Sequence, residues 1–490
     1  MSDITLTKVD EAFLHVDGER STIQEMRDFF EFHVPGYQFM PAYRNKMWNG
    51  KIQLLDYRTQ RIYAGLLPQI EKFAQDRDYT IEYDESLILS REFSAKEASD
   101  FIASLNLELI PRPYQIKAFV DAVRDRRTMF ECPTGSGKSL IAYLLVRFYQ
   151  QEGDKILIIV PTTSLVMQLY KDFSEYGKKD GWSSDDHVHY IMQGREKETD
   201  RNVVISTWQS LQRQPKAYFK QYTAVIGDEA HLFKSKSLIA IMTKLTDAPV
   251  RVGMTGTLDG ALTHALVLAG LFGRVRKIIT TDELIKAKHL AKFAVKAISL
   301  KYPEEDCKTI IRSKYHEEIE FLVGNKRRNA FITNLAVSLE GNTLVLFQYV
   351  EKHGSKLYDS IKKKAGNERK VFYIYGGTDV KIREEVRAIV ETEKDAIIVS
   401  SNGVFSTGVN IKNLHNIISA HPGKSKVRVL QSIGRILRIS DSKDIATLYD
   451  IVDDLSYKKR KNYAITHFLE RHKYYVNEKF PVKIYNVELK

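Results

Sequence analysis

The chain has 490 residues, with 74 Lys+Arg against 62 Asp+Glu, a formal net charge of +12 and two cysteines. Its pI near 9.2 favours a polyanionic partner, while the length predicts about three domains. Two cysteines argue against a disulfide framework and a cysteine-rich metal site. No apolar run approaches the ~20 residues that span a bilayer, and no signal peptide precedes the first acidic residues, so a reducing cytoplasm is expected.

Residues 1–100 are rich in aromatics and mixed charge, with strand-like runs at 51–55 and 80–83. They are expected to form a small α+β accessory domain that binds nucleic acid. Tyr43, Arg44, Lys46, Trp48 and Lys51 interleave rings and cations, so bases can stack while phosphates meet positive charge, at about 1–3 kcal/mol per stacked base. The same pattern reads equally well as apolar core with charged edges.

Residues 101–285 alternate strands and helices, with strands expected at 127–130, 155–160, 202–205, 222–227 and 250–253. That is the logic of a doubly wound parallel sheet. Between the first strand and the helical run from Leu140 lies Cys132-Pro-Thr134-Gly135-Ser136-Gly137-Lys138-Ser139. Gly135 and Gly137 permit the tight turn that aims successive N–H groups at one anion. Lys138 can reach the β- and γ-phosphates of a nucleotide, Ser139 can hold Mg2+, and the helix offers its positive end. Cys132 stands where the usual pattern opens on Gly, and is small enough for the loop to hold. A chance glycine-rich turn would lack the flanking strand and helix. Farther along, Asp228-Glu229-Ala230-His231 closes the apolar run 222–227. A carboxylate at the C-terminal end of a parallel strand faces the ligand crevice. Asp228 is placed to bind the metal and Glu229 to polarise the attacking water. Alone, this segment would read as a solvated acidic turn.

Residues near 300–325 are highly charged and read as the crossing to a second lobe, 286–455, with strands at 343–347, 371–374, 396–400 and 416–419. In Gln431-Ser-Ile-Gly-Arg435-Ile-Leu-Arg438 two arginines share one helical face, suited to charge developing on a γ-phosphate or, more blandly, to a basic surface helix. The tail 456–490 reads as helical, basic and aromatic. Its run 458–461 suits a solvated helix face slightly better than a grip on duplex phosphates.

Taken in order, these segments resemble the signature set of helicase superfamily 2, DEAH-box-like, over roughly residues 105–440. Arg112-Pro-Tyr114-Gln115 resembles the adenine-reading segment. Pro161-Thr162-Thr163 and Thr207-Trp208-Gln209 resemble segments that hold a nucleic-acid backbone. Thr255-Gly256-Thr257 resembles the motif linking hydrolysis to movement, and the run from Val404 through Thr407 and Gly408 the fifth motif of the second lobe. The resemblance implies two RecA-like lobes with ATP in the cleft between them. It implies Tyr114 and Gln115 at the adenine, and Thr134, Gly135, Ser136, Gly137, Lys138 and Ser139 at the phosphates. His231 and Thr255 would relay the state of the γ-phosphate. Gln431, Arg435 and Arg438 would act from the second lobe, Arg438 as the finger. Thr162, Thr163, Thr207, Thr255, Thr257, Ser401, Thr407 and Gly408 would meet the nucleic acid, with Trp48 and Lys51 in front. By residue type alone each of these hydroxyls is more often a helix N-cap.

Phe29-Phe30-Glu-Phe32, Gly36-Tyr37-Gln-Phe39, Trp48-Asn49-Gly50-Lys51-Ile52 and Lys412-Asn413-Leu414-His415 resemble the phage UvsW helicase family, nearly over the full length. That implies an ATP- and Mg2+-dependent DNA helicase that remodels branched DNA (forks, Holliday junctions) and RNA–DNA hybrids (R-loops) in phage replication, recombination and repair. It implies a monomer in the host cytoplasm with no membrane partner. The alternatives are a translocating subunit of a restriction or nuclease system, an RNA helicase, and a strand-annealing protein with weak ATPase.

Overall fold

The computed structural model describes residues 2–87, 90–192, 194–258, 261–407, 411, 413–423, 433–434, 436–437 and 445–489. It separates into two units, Met1–Cys132 with Ser136–Ile279, and Pro133–Gly135 with Thr280–Lys490.

The first unit opens with the α+β region. Strands β1 (Ile4–Lys8) and β2 (Phe13–Gly18) pair antiparallel, and their buried residues alternate as a one-sided sheet requires. After the short antiparallel pair β3 (Glu31–His33) and β4 (Lys51–Gln53) come β5 (Arg61–Tyr63) and β6 (Ile81–Tyr83), completing a four-stranded sheet in the order β5-β2-β1-β6. Helices Arg20–Phe29 and Leu67–Gln75 contribute Ile23, Met26, Ile70 and Phe73 to one apolar cluster with Leu6, Leu14 and Val16. That cluster continues unbroken into the following lobe, reaching Leu157, Val225 and Phe272.

The lobe itself is a seven-stranded parallel sheet. Its strands are β7 (Arg127–Glu131), β8 (Ile156–Val160), β9 (Val188–Ile191), β10 (Val203–Thr207), β11 (Ala224–Asp228), β12 (Val250–Thr255) and β13 (Arg274–Lys277), in the order β13-β7-β12-β11-β8-β10-β9. The central strands are apolar and buried along their length, as a parallel sheet covered on both faces demands. Arg251 on β12 is buried yet bonded: its guanidinium donates to the carbonyls of Met242, Leu245 and Ala248, closing the C-terminal end of helix Lys236–Lys244.

The second unit repeats the architecture. Strands β14 (Lys292–Lys301), β15 (Thr343–Phe347), β16 (Val371–Ile374), β17 (Ile397–Ser401), β18 (Asn416–Ser419), β19 (Ile445–Asp454) and β20 (Val482–Glu488) form a parallel sheet ordered β16-β17-β15-β18-β19-β14-β20. Buried ion pairs pin its helices. Arg328 donates to Asp453 at 2.7 and 3.0 Å, and Arg471 to both oxygens of Asp450 at 2.9 Å, where the Tyr475 hydroxyl also donates.

Three stretches differ from the sequence expectation. The charged stretch after β14 is not a bare crossing: it forms helices Glu304–Ile310 and Tyr315–Gly324, whose Cys307, Ile310, Ile319, Leu322 and Val323 are buried at helical spacing beneath the charges. Residues 458–461 lie in a turn, with Lys458 at φ 53 and a bridge between Tyr457 and Arg460, before helix Tyr463–Asn477 begins. The final residues leave the helical state and join the sheet as β20, because β14 offers an unpaired edge.

Candidate active site

The phosphate-loop sequence joins β7 to helix Lys138–Gln151, and Gly135 and Gly137 adopt φ of 85 and 79. Those values suit glycine alone at low cost. A Cβ at Gly137 would also lie 2.2 Å from the Gln115 side-chain nitrogen. That nitrogen donates to the Ser136 carbonyl at 2.8 Å, the Tyr114 hydroxyl donates to the same oxygen at 2.9 Å, and Gln115 Oε1 accepts from the Arg112 N–H at 2.8 Å. In this structure Tyr114 and Gln115 therefore brace the loop. Lys138 Nζ donates to the Cys132 carbonyl at 3.4 Å, and the Ser139 and Tyr176 hydroxyls are 2.9 Å apart. Burial pushes the Cys132 thiol up to about 12, which keeps it protonated and inert.

Asp228 ends β11, and Glu229 turns off the strand at φ 49, a left-handed conformation costing about 1–3 kcal/mol for a residue with a side chain. Burial raises the Asp228 carboxyl, Glu229 raises it further, and Lys138 pulls it back. Its Oδ1 accepts the Glu229 N–H at 2.9 Å. His231 Nδ1 lies 3.3 Å from Glu229 and 2.9 Å from Thr255 Oγ1. The Thr255 hydroxyl donates its own proton to the Thr257 carbonyl at 3.2 Å. It must therefore accept from His231, which fixes the proton on Nδ1. Imidazole and two threonines thus form one hydrogen-bonded line within the first unit, with the Glu229 carboxylate 3.3 Å from the same imidazole nitrogen.

Three features of the loop bear on what it can hold. Ser136 Oγ is buried without a hydrogen-bond partner. The raised Asp228 carboxyl gains from a nearby cation. Ser139 and Asp228 are hard oxygen donors, the kind magnesium accepts beside water and phosphate. Among the described residues no group of three or more His, Cys, Asp or Glu could hold a metal by itself. The residues present fit a nucleotide with its magnesium.

Other candidate residues are placed as follows. Thr162 caps helix Thr163–Tyr176, its hydroxyl accepting the Leu165 N–H at 3.3 Å. Thr207 is buried at the end of β10 with its Oγ1 3.1 Å from the Ser210 hydroxyl, Thr257 is buried, and Ser401 is buried at the end of β17. Thr407 ends helix Asn402–Thr407, its side chain lying outside the description. Gly408, Gln431, Arg435 and Arg438 lie outside the described residues. In the β3–β4 connection Tyr43, Arg44, Lys46, Met47 and Trp48 line a cleft of about 620 Å³, and no acidic residue occurs between Glu31 and Lys51. Lys51 is tied to Glu31 at 2.6 Å, and the Trp48 indole donates to the Lys51 carbonyl at 2.8 Å. Sequence reasoning missed Tyr176 and Glu31, whose partners lie 37 and 20 residues away and leave no local pattern.

A phosphate loop at one parallel strand, an acidic strand end beside it and a second sheet of the same kind define a RecA-like nucleic-acid motor. The helicase conserved C-terminal domain matches residues 326–440, the Type III restriction enzyme res subunit residues 108–260, and the DNA helicase UvsW N-terminal model residues 3–84. The chain is 36% identical to the ATP-dependent DNA helicase uvsW of Enterobacteria phage T4, covering 99% of this chain and 100% of that one. It is 24% identical to the DNA 3'-5' translocase XPB2 of Sulfurisphaera tokodaii over 74% of this chain and 87% of the relative. Among solved structures, T4 UvsW superposes over 100% of both chains with a TM-score of 0.53 and 34% identity. The chain belongs to the UvsW family of superfamily 2 helicases. It is an ATP-dependent DNA helicase. Among the described residues no helix is long and apolar enough to cross a membrane.

Proposed function

We propose that this helicase remodels branched DNA (forks and four-way junctions) and RNA–DNA hybrids, as a monomer in the host cytoplasm, using ATP with Mg2+. The match to the T4 helicase along 99% of the chain, accessory region included, supports this reading. A motor alone would be shared with many translocases. In this reading residues 1–100 engage the nucleic acid ahead of two lobes, 101–285 and 286–455, and residues 456–490 form a basic C-terminal segment.

Lys138 holds the β- and γ-phosphates, and the turn through Thr134, Gly135, Ser136 and Gly137 presents backbone N–H groups to them. Ser139 and Asp228 would hold magnesium, which when bound neutralises charge on the transferred phosphoryl group. Glu229 orients the attacking water and accepts its proton. His231 and Thr255 carry the change onward, and Gln431, Arg435 and Arg438 act from the second lobe. Thr162, Thr163, Thr207, Thr257, Ser401, Thr407 and Gly408 meet the phosphate backbone, and Trp48 a base.

The test compares wild type with Lys138→Ala on a fork, a four-way junction, an R-loop and an RNA duplex at one salt concentration, since charge-driven binding varies steeply with salt. Lys138→Ala should lose hydrolysis while keeping its fold and most DNA binding. Continued turnover by that variant refutes the loop assignment. Preference for the RNA duplex refutes the substrate assignment.

A further inference from the structure

Apart from Thr263 and His264, helix Leu262–Phe272 is built of apolar residues and glycine, and Val267, Leu268, Ala269, Leu271 and Phe272 are buried, as for a helix packed against more than one neighbour. One neighbour is the nucleotide site. The Phe272 ring meets Phe233, two residues past His231, with centroids 5.0 Å apart. It also fills the space a Cβ would need at Gly227, next to Asp228, and at Gly253, two residues before Thr255, at 2.8 and 3.0 Å. Lys234 Nζ lies 3.2 Å from His264 Nδ1.

The other neighbour is the accessory domain. A Cβ at Gly270 would lie 2.8 Å from Tyr63 Cβ. One at Gly65 would lie 2.3 Å from the Ala269 carbonyl oxygen and 2.7 Å from that of Gly270. At Gly65 backbone meets backbone with no flexible side chain between, while Gly270 leaves room for the base of the Tyr63 side chain. Away from the helix, the same seam is held by Arg127, which donates to the Glu11 carboxylate at 2.5 Å, and by the Glu11 N–H, which donates to the Thr246 carbonyl at 2.9 Å.

We propose that helix Leu262–Phe272 is the link through which the nucleotide state of the first lobe sets the placement of the accessory domain, with Gly65 and Gly270 as positioning residues for strand separation. The inference rests on the helicase reading above. A close-packed interior passes displacement on rather than absorbing it. A shift at His231 carries Phe233 with it, Phe233 abuts Phe272, and the far flank of the helix bears directly on residues 63–65. Coupling of this kind must appear as a nucleotide-dependent difference in grip on nucleic acid.

Gly270→Ala adds one methyl group at the seam, 2.8 Å from Tyr63 Cβ, so the helix or Tyr63 must shift to admit it. On single-stranded DNA its ATP hydrolysis should stay within about twofold of wild type, while base pairs unwound per ATP on a forked duplex fall about tenfold. The difference in fork affinity between ADP and a non-hydrolysable ATP analogue, present in wild type, should vanish. Glu11→Gln weakens the seam away from the helix and should leave the ratio of unwinding to hydrolysis unchanged. Wild-type coupling in Gly270→Ala, or equal loss in both variants, overturns the proposal. Should Gly270→Ala not fold, hydrogen exchange on the wild-type chain decides: protection of residues 61–66 should differ between ADP and the analogue, and identical protection overturns the link. A wild-type protein that hydrolyses ATP but unwinds no fork defeats the helicase reading instead, a separate outcome.

Discussion

Thr255→Val tests the line from imidazole to threonine. Valine keeps the shape of the side chain and removes the oxygen. The His231 Nδ1–H then loses its 2.9 Å acceptor and keeps only the Glu229 oxygen at 3.3 Å, while the Thr257 carbonyl loses its donor at 3.2 Å. His231 and Thr255 are both buried, so water does not replace the bond, and a buried group left unpaired costs about 1–3 kcal/mol. If the bond holds His231 in a register that only the γ-phosphate state selects, that energy is lost from coupling. Base pairs unwound per ATP should then fall by a factor between about 5 and 150. Hydrolysis should fall less, because Lys138, Asp228 and Glu229 remain. The assay runs both measurements on one forked duplex, with thermal unfolding as a control. A folded Thr255→Val protein whose unwinding and hydrolysis fall in equal proportion would show that the His231–Thr255 bond supports the site's shape and carries no signal.

Arg471→Ala leaves Asp450 buried without its guanidinium and should destabilise the second unit by about 3–5 kcal/mol. Limited proteolysis should then cut near helix Tyr463–Asn477 before any other helix of that unit, and Arg471→Met with Asp450→Leu should recover most of the loss. His353 is buried with no hydrogen-bond partner on either ring nitrogen, and burial, helped by Arg328, holds its imidazole down to about 2 from the ordinary 6.5. The folded state keeps it neutral while the unfolded chain takes up a proton, so its contribution is complete above pH 6.5 and is lost as pH falls from there. Urea midpoints of wild type should therefore drop between about pH 7 and pH 5 more than those of His353→Leu; parallel curves would refute the assignment.

Much of the motor was legible because its signals are local. The strand–loop–helix around Lys138 and the apolar run ending at Asp228 are continuous in sequence, β8 is an unbroken apolar run, and β10, β11, β15 and β17 are mostly apolar. What was illegible depends on distant partners. β20 has an exposed, mixed sequence and is a strand only because β14 accepts its backbone, nearly two hundred residues earlier. Lys51 read as a free cation because Glu31 is twenty residues off. Thr162 fits the bland reading of a hydroxyl that caps its own helix, and Gln115, expected at the adenine, donates its side-chain amide to the Ser136 carbonyl of the loop. The docking of the accessory domain through Gly65 and Gly270 had no signal, since a glycine looks alike wherever backbones touch.

The arrangement of β14 has a consequence for biosynthesis. It lies between β19 and β20, so the first strand of the second sheet to leave the ribosome receives both neighbours last. Its ten-residue length, largely buried in the finished sheet, must wait through more than a hundred and forty further residues, the span in which an unpaired strand edge invites aggregation. A pause in translation before residue 445 would prolong that exposure, and β7, whose partners β12 and β13 are the last strands of the first lobe, faces the same kind of wait.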